Sequence, residues 1–374
     1  MSSAGSRGLT VVAWFTASRL AIAALGVVGV ATFPTLGADG VTYVVTDNTA
    51  ALNPINVWHK WDALWYERIA EHGYDYELET TRGQGAAGFF PLYPMTVQTL
   101  RGLAPSLSFF WAATIFSNLV TFVALWLMAR SLIDSDDRVG RVMTVMMTSA
   151  GSFYLSIPYT ESLFLLLVVG TMVATRQRRY ELAGLLAGLA ATTRVHGFAL
   201  LAVPAVACWL DATLAARGRA ARSTFTIVMF AVPVVAYLIY MADVLGSSSA
   251  FLARQQMWDN PTPYPFRAIL GLIEFPRRIG SWLHGGFWFL YLGLLIRYWR
   301  RMPMGEALFC LGVFIISTGQ PGFQGIYRYM VPLVPLAIAV AGDREDVRHR
   351  IIAVNLVFGV LMILAFVTRH RLAV

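Results

Sequence analysis

The residues of this chain whose types could do chemistry sit in short clusters. Asp62 lies within Trp58-His59-Lys60-Trp61-Asp62-Ala63-Leu64-Trp65-Tyr66, and Glu161 follows Ile157-Pro158-Tyr159-Thr160. Arg194 and His196 share Thr193-Arg194-Val195-His196-Gly197, Gln255 and Gln256 are adjacent, and Arg328 stands between Tyr327 and Tyr329. Wound as one helix at about 100° per residue from Trp58 to His72, the first cluster sets Trp58, Trp65, Tyr66 and Ile69 within about 60° of Asp62. Lys60, Glu67 and Glu71 then fall roughly opposite. A carboxylate centred on an aromatic, apolar face is costly unless something pairs with it or uses it. Aromatic faces stack on sugar rings, a guanidinium fork binds phosphate, and a carboxylate accepts the proton of a hydroxyl. Together these types suit a reaction on a lipid phosphate that carries a sugar. Each residue also has a plain reading. Asp62 reads equally as a first-turn charge favoured by the helix dipole, and Glu161 as part of an N-terminal cap with Thr160. Arg194 reads as a snorkelling interfacial side chain, His196 as a structural histidine, and Arg328 as a member of an interfacial belt.

The elements that must position these residues are membrane helices. Hydrophobic residues make up 57% of the chain and charged residues 13%, in long apolar blocks separated by short basic clusters. That pattern belongs to an all-α polytopic membrane protein. The net charge of +8 arises from arginines at block ends, which follow topology and form no nucleic-acid-binding stripe. Cys208 and Cys310 fall inside apolar blocks and read as small core residues. No Walker loop, HExxH, CxxC, GxSxG or strand-linked GxGxxG occurs, which argues against nucleotide, zinc-protease and serine-hydrolase chemistry.

The run from Leu9 to Phe33 is too long for a signal-peptide core, so a retained first transmembrane helix is expected, with Arg19 a charge near its middle. An acidic segment, 34–105, follows and reads as a first extracytoplasmic loop. Within it Thr80 to Gly88 reads as a lid or linker, and Pro91 with Pro94 as the start of a second surface helix. Apolar blocks then come at 107–130, 140–157, 159–175, 181–194, 197–213, 224–245, 282–298, 304–318, 329–341 and 350–367, giving about eleven spans. Alternating their direction gathers Arg138/Arg141, Arg176/Arg178/Arg179, Arg217/Arg219/Arg222, Arg297/Arg300/Arg301 and Arg344/Arg348/Arg350 on one, cytoplasmic, side. The chemistry-bearing clusters fall on the other, with a second large loop at 246–280. Residues 1–374 read as one membrane domain.

Several segments resemble the PIG-V family of mannosyltransferases. Trp61-Asp62-Ala63 with Tyr66, Ile69-Ala70 and Gly73-Tyr74, followed by Phe89-Phe90-Pro91-Leu92-Tyr93-Pro94, is similar to its first-loop signature. Pro158-Tyr159-Thr160-Glu161-Ser162-Leu163-Phe164 matches a second segment, and Arg328 with Pro332 and Pro335 resembles a late motif. Thr193-Arg194-Val195-His196-Gly197 resembles the family's Arg-Ser-Asn-Gly segment, with His196 where eukaryotic members carry Asn. The loop 246–280 is the least matched part.

The resemblance implies a GT-C bundle of about eleven transmembrane helices whose first extracytoplasmic loop carries two amphipathic surface helices. It implies an α-mannosyltransferase that moves mannose, with inversion, from polyprenyl-phosphate-mannose to a glycolipid or exported acceptor. Asp62 is then the expected catalytic base, with Arg194, Arg328 and His196 on the donor phosphate. Trp58, Trp61, Trp65, Tyr66, Phe89, Tyr93, Tyr159, Glu161, Gln255 and Gln256 are the expected substrate-binding set. The eukaryotic relatives act on a glycosylphosphatidylinositol precursor; composition favours a bacterial plasma-membrane member working on the extracytoplasmic side. No cofactor is expected, and the scattered carboxylates of the first loop do not call for a metal. Besides membrane lipids, the partners expected are the lipid-linked donor and the acceptor, with no nucleic acid. Two other classes stand beside this one. A flippase of lipid-linked sugars would carry inverted repeats, which the sequence lacks, and a non-catalytic partner subunit would keep the fold without the chemistry.

Overall fold

The computed structural model describes residues 3–32, 56–74, 85–255, 266–274, 279–319, 321–323 and 325–368. Gln256, most of the Thr80–Gly88 segment, and parts of the 34–105 and 246–280 loops lie outside them, as does the side chain of Gln255. The regular elements of the described residues are all helices, with no strand among them. In chain order the helices are α1 (Ser3–Thr32), α2 (Asp62–His72), α3 (Leu92–Arg101), α4 (Phe109–Ser131), α5 (Asp136–Met147), α6 (Glu161–Arg176), α7 (Tyr180–Ala191), α8 (Gly197–Leu200) and α9 (Ala202–Trp209). They continue with α10 (Ala216–Leu245), α11 (Ala250–Gln255), α12 (Arg267–Glu274), α13 (Ile279–Tyr298), α14 (Met304–Ser317), α15 (Ile326–Met330), α16 (Val334–Ala341) and α17 (Glu345–Val367).

Four of these are long and apolar enough to cross a membrane: Gly5–Thr32 of α1, then α4, α10 and α17. Large apolar side chains lie exposed on all four, for example Leu20, Leu119, Ile239 and Val357. Contiguous apolar surface on long helices faces lipid, so the chain is an integral membrane protein. The expected count of about eleven spans is not reproduced by length and composition. Every apolar block holds helix, but several are short or broken. The block 140–157 ends its helix at Met147, where Thr148-Ser149-Ala150-Gly151 leads into a 3-10 turn at Ser152–Leu155. The block 329–341 divides into α15 and α16 around Pro332, whose missing N–H cannot continue a helix.

Helix packing gathers the basic clusters at one end of the bundle. Arg7 Nε meets Asp136 Oδ1 at 2.7 Å, and an Arg176 guanidinium nitrogen donates to the Leu132 carbonyl at 2.9 Å. Arg178 donates to Thr213, while Arg297 and Arg301 share Asp343. These are the sites that directional alternation assigns to one side. Tight helix contacts hold the frame: a Cβ on Gly184 would lie 2.2 Å from the Thr226 carbonyl oxygen, and one on Gly188 2.3 Å from that of Phe230. Small residues here let α7 and α10 approach backbone to backbone, a common device where lipid supplies no hydrophobic drive. Arg19 acts as a tie: its guanidinium donates to Asn118 Oδ1 (2.9 Å) and the Leu155 carbonyl (3.1 Å), joining α1 to α4 and the turn after α5.

Candidate functional site

The opposite end of the bundle carries the clustered polar residues, and α2 brings the first of them. This helix begins at Asp62, not at Trp58 as the single-helix projection has it. Trp61 adopts φ 51°, ψ −119°, a conformation no helix accommodates and one rare for a residue with a Cβ. The turn is held from both sides. Lys60 is buried, and its Nζ donates to the carbonyls of Phe366 (3.0 Å) and Val367 (2.8 Å) at the end of α17. The Lys60 carbonyl accepts the Tyr159 hydroxyl at 3.0 Å. A cation on terminal helix carbonyls is favoured by both hydrogen bonding and the dipole. Strained backbone of this kind persists only where the surroundings over-determine it, and here it fixes the first residue of α2, which is Asp62.

Asp62 meets a partner 266 residues away: Arg328 Nη1 donates to Asp62 Oδ2 at 2.6 Å. Arg328 Nε also lies 3.5 Å from Glu161 Oε1, and the same oxygen pairs with Arg194. The four charges thus form a chain, Asp62–Arg328–Glu161–Arg194, with no net charge. Its two ends differ in access. Glu161 is fully buried and the Arg194 side chain 9% exposed, whereas Asp62 and Arg328 are 18% and 19% exposed. Asp62 and Arg328 are therefore the more open end of the chain, and Glu161 with Arg194 the more buried end. Thr160 does not cap α6 with its side chain; its hydroxyl accepts from Arg194 Nη1 at 2.9 Å. Tyr329 packs against both guanidiniums, 5.2 Å from Arg194 and 5.4 Å from Arg328. His196 lies against the same ring at 4.4 Å. Burial first, and then the Arg194 and Arg328 charges, hold its imidazole well below the usual histidine range, so it is neutral. Gly197 allows this turn, since a Cβ there would meet the Ala191 nitrogen at 2.2 Å.

The aromatic residues of the expected set form the wall behind. Trp65 stacks on Phe89 (centroids 5.7 Å apart), and Tyr66 meets Phe89, Tyr93 and Tyr159 edge-on at 5.4–6.1 Å. Trp58 and Trp61 pack on Phe366. Tyr93 and Tyr159 are buried, their hydroxyls taken up by Ser117 and Lys60. Among these rings Phe89 is the one left half-buried. Burial, then the Asp62 and Glu161 charges, push the Tyr66 phenol upward, which leaves it a neutral group and no base. The Leu92 nitrogen donates to the Thr192 carbonyl at 3.2 Å, docking the start of α3 beside Arg194. Among the described residues no group of three His, Cys, Asp or Glu could hold a metal ion.

Three members of this arrangement escape a sequence reading: Lys60, Thr160 and Tyr329. Lys60 falls on the polar side of the helix projection, and Thr160 looks like a cap. Only the Tyr-Arg-Tyr spacing around Arg328 carries a signal for the third. Chemically, the arrangement offers a partly exposed carboxylate bonded to one guanidinium, a second guanidinium reached through Glu161, and an aromatic wall. It can take a proton from a bound hydroxyl and hold an anion a few ångströms away. In comparisons with known proteins, the family model described as Mannosyltransferase (PIG-V) matches residues 38–250, which takes in Asp62, Glu161, Arg194 and His196 and stops before Arg328. No curated protein and no solved structure matches the chain.

Proposed function

The chain belongs to the PIG-V mannosyltransferase family, and on that premise and the geometry of its site we propose an inverting α-mannosyl transfer from polyprenyl-phosphate-mannose to a glycolipid or exported acceptor. The family implies a membrane glycosyltransferase acting on mannose; the lipid-phosphate donor, the linkage and the outer-face location are the proposal. So are a GT-C bundle and a catalytic first loop at 34–105 with a second large loop at 246–280. One observation carries the reading: an accessible carboxylate, Asp62, bonded at 2.6 Å to an accessible guanidinium, Arg328, over a buried Arg194–Glu161 pair.

In the proposed reaction the acceptor hydroxyl oxygen bonds to the anomeric carbon as the bond from that carbon to the phosphate oxygen breaks. Asp62 takes the hydroxyl proton. The bond pair leaves with polyprenyl phosphate, whose growing charge Arg328 meets, with Arg194 beneath. In the resting site Arg328 is occupied by Asp62. A donor phosphate competes for the same guanidinium, so its arrival loosens the ion pair and frees the carboxylate to act as a base. Donor binding thereby prepares the acceptor step. Glu161 keeps the two arginines from repelling one another, and neutral His196 beside them adds no further positive charge. Trp58, Trp61, Trp65, Tyr66, Phe89, Tyr93 and Tyr159 shape the sugar pocket, Phe89 by its open face and the others from behind. Gln255 and Gln256 keep their expected substrate role as part of this reading. Positioning and charge stabilisation suffice, because a polyprenyl phosphate is already a workable leaving group. The test is transfer from polyprenyl-phosphate-mannose to a membrane lipid extract by the purified chain, with product masses measured. A product one hexose heavier than an extract lipid supports the reading. Donor movement across a bilayer with no such product overturns it.

A further inference from the structure

The arginine-rich end of the bundle is hollow. A cavity of about 450 Å³ opens there, lined by Arg138, Arg176 and Arg301 together with Asp134 and Glu306. It is remote from the site above. Helix α6 starts at Glu161 and ends at Arg176, and its 16 residues separate the two ends by about 22 Å.

Three guanidiniums face two carboxylates across this cavity, and their pairings leave donors to spare. Arg138 reaches Asp134 at 3.1 Å through one terminal nitrogen, while its buried Nε has no hydrogen-bond partner among the described residues. Arg176 donates from one terminal nitrogen to the Leu132 carbonyl at 2.9 Å, and its other stands 3.8 Å from Glu306, beyond hydrogen-bond range. Arg301 turns to Asp343 at 3.4 Å, but that carboxylate already accepts from Arg297 and the Tyr298 hydroxyl. A tetrahedral phosphate is the ligand that several converging, incompletely used guanidinium forks fit best. The remaining wall is apolar, formed by Met302, Pro335 and Ile338. A basic shelf over an apolar wall at the end of a membrane bundle matches the interfacial part of an anionic lipid, phosphate above and glycerol with the first methylenes below.

We propose that this cavity is a phosphate-ester site, separate from the mannosyl-transfer site, which takes the headgroup of an anionic membrane lipid or a soluble phosphate ester. It does not depend on the reaction proposed above. The apolar wall favours the lipid, and the two sources separate by experiment. The purified full-length chain is titrated in detergent with phosphatidylglycerol, with phosphatidylcholine or with glycerol 3-phosphate, and bound adducts are counted by native mass spectrometry. The expected result is at least tenfold tighter retention of phosphatidylglycerol than of phosphatidylcholine, and loss of that preference in R138Q/R301Q. Displacement of the lipid by millimolar glycerol 3-phosphate assigns the site to soluble esters; failure to displace assigns it to lipid. Glu306→Gln gives a signal of opposite sign. Removing its charge raises phosphatidylglycerol retention several-fold, whereas damage to packing would lower it, and this variant carries the test where the double variant does not accumulate. Equal retention of the two lipids with no glycerol 3-phosphate bound, or a preference untouched by R138Q/R301Q, overturns the proposal.

Discussion

Glu161→Gln isolates the electrostatics of the buried end of the site from its shape. The carboxylate is fully buried and serves two cations, Arg194 in direct contact and Arg328 Nε at 3.5 Å. At 3.5 Å and an effective dielectric of about 20, one such pair attracts by about 5 kcal/mol before desolvation is counted. Desolvation cancels much of this in the intact pair. Taking away one partner leaves the other buried and uncompensated, at a cost of roughly 3–5 kcal/mol. Gln keeps the volume and one acceptor oxygen, so packing contributes little to the loss. Arg194 retains Thr160 as a partner, which sets the expectation toward the lower figure. At about 2 °C per kcal/mol for a large domain, the unfolding midpoint falls by roughly 6–10 °C. Intrinsic fluorescence in detergent reads this directly, since the chain has 11 tryptophans and Trp58, Trp61 and Trp65 lie in the segment that carries Asp62. The companion is the double variant Glu161→Leu/Arg194→Met, which removes both charges and recovers at least half of the loss. A midpoint change under about 2 °C in Glu161→Gln, or a double variant less stable than the sum of its singles, would mean that Glu161 does not hold the two arginines electrostatically.

Two further outcomes follow from the same end of the bundle. Gly197→Ala sets a methyl 2.2 Å from backbone, so the Arg194–His196 turn must shift; donor affinity falls at least tenfold while Gly218→Ala, whose added carbon meets open space, leaves it unchanged. His196 is held neutral in the folded chain, so stability is independent of its titration above about pH 6.5 and falls below it, as the unfolded chain takes up the proton and the folded one does not. His196→Asn therefore shows a flatter midpoint-against-pH curve than the parent below about pH 6.5; parallel curves would contradict it.

The helical, membrane-embedded character was legible because it is local. Every apolar block holds a helix, and the arginines that direction-counting assigns to one side do meet around Asp343, Asp136 and the Leu132 carbonyl. Block length alone does not count the crossings: four described helices are long and apolar enough to span, and other blocks break, as near Gly151 and Pro332. The helix projection from Trp58 failed for a backbone reason. Trp61 leaves the helical region, and that turn rotates Lys60 inward onto the end of α17 while freeing Asp62 to begin α2. Residue types singled out Asp62, Glu161, Arg194 and Arg328 as candidates, but not their order in one ion-pair chain. Arg328 and Asp62 stand 266 residues apart, and no periodicity links them. Thr160 shows the same limit, since a helix-start threonine looks like a cap until an arginine from another helix claims its hydroxyl.

The role of Asp62 as base is tested by the rate of mannose transfer from polyprenyl-phosphate-mannose by Asp62→Asn, measured together with donor affinity. Turnover is expected to fall by about 10²–10⁴, the usual contribution of a positioned base. Donor binding is expected to equal or exceed that of the parent, because Arg328 no longer has a carboxylate to hold. Turnover within about threefold of the parent, well short of what a base supplies, or a turnover loss explained entirely by lost donor binding, would contradict that role.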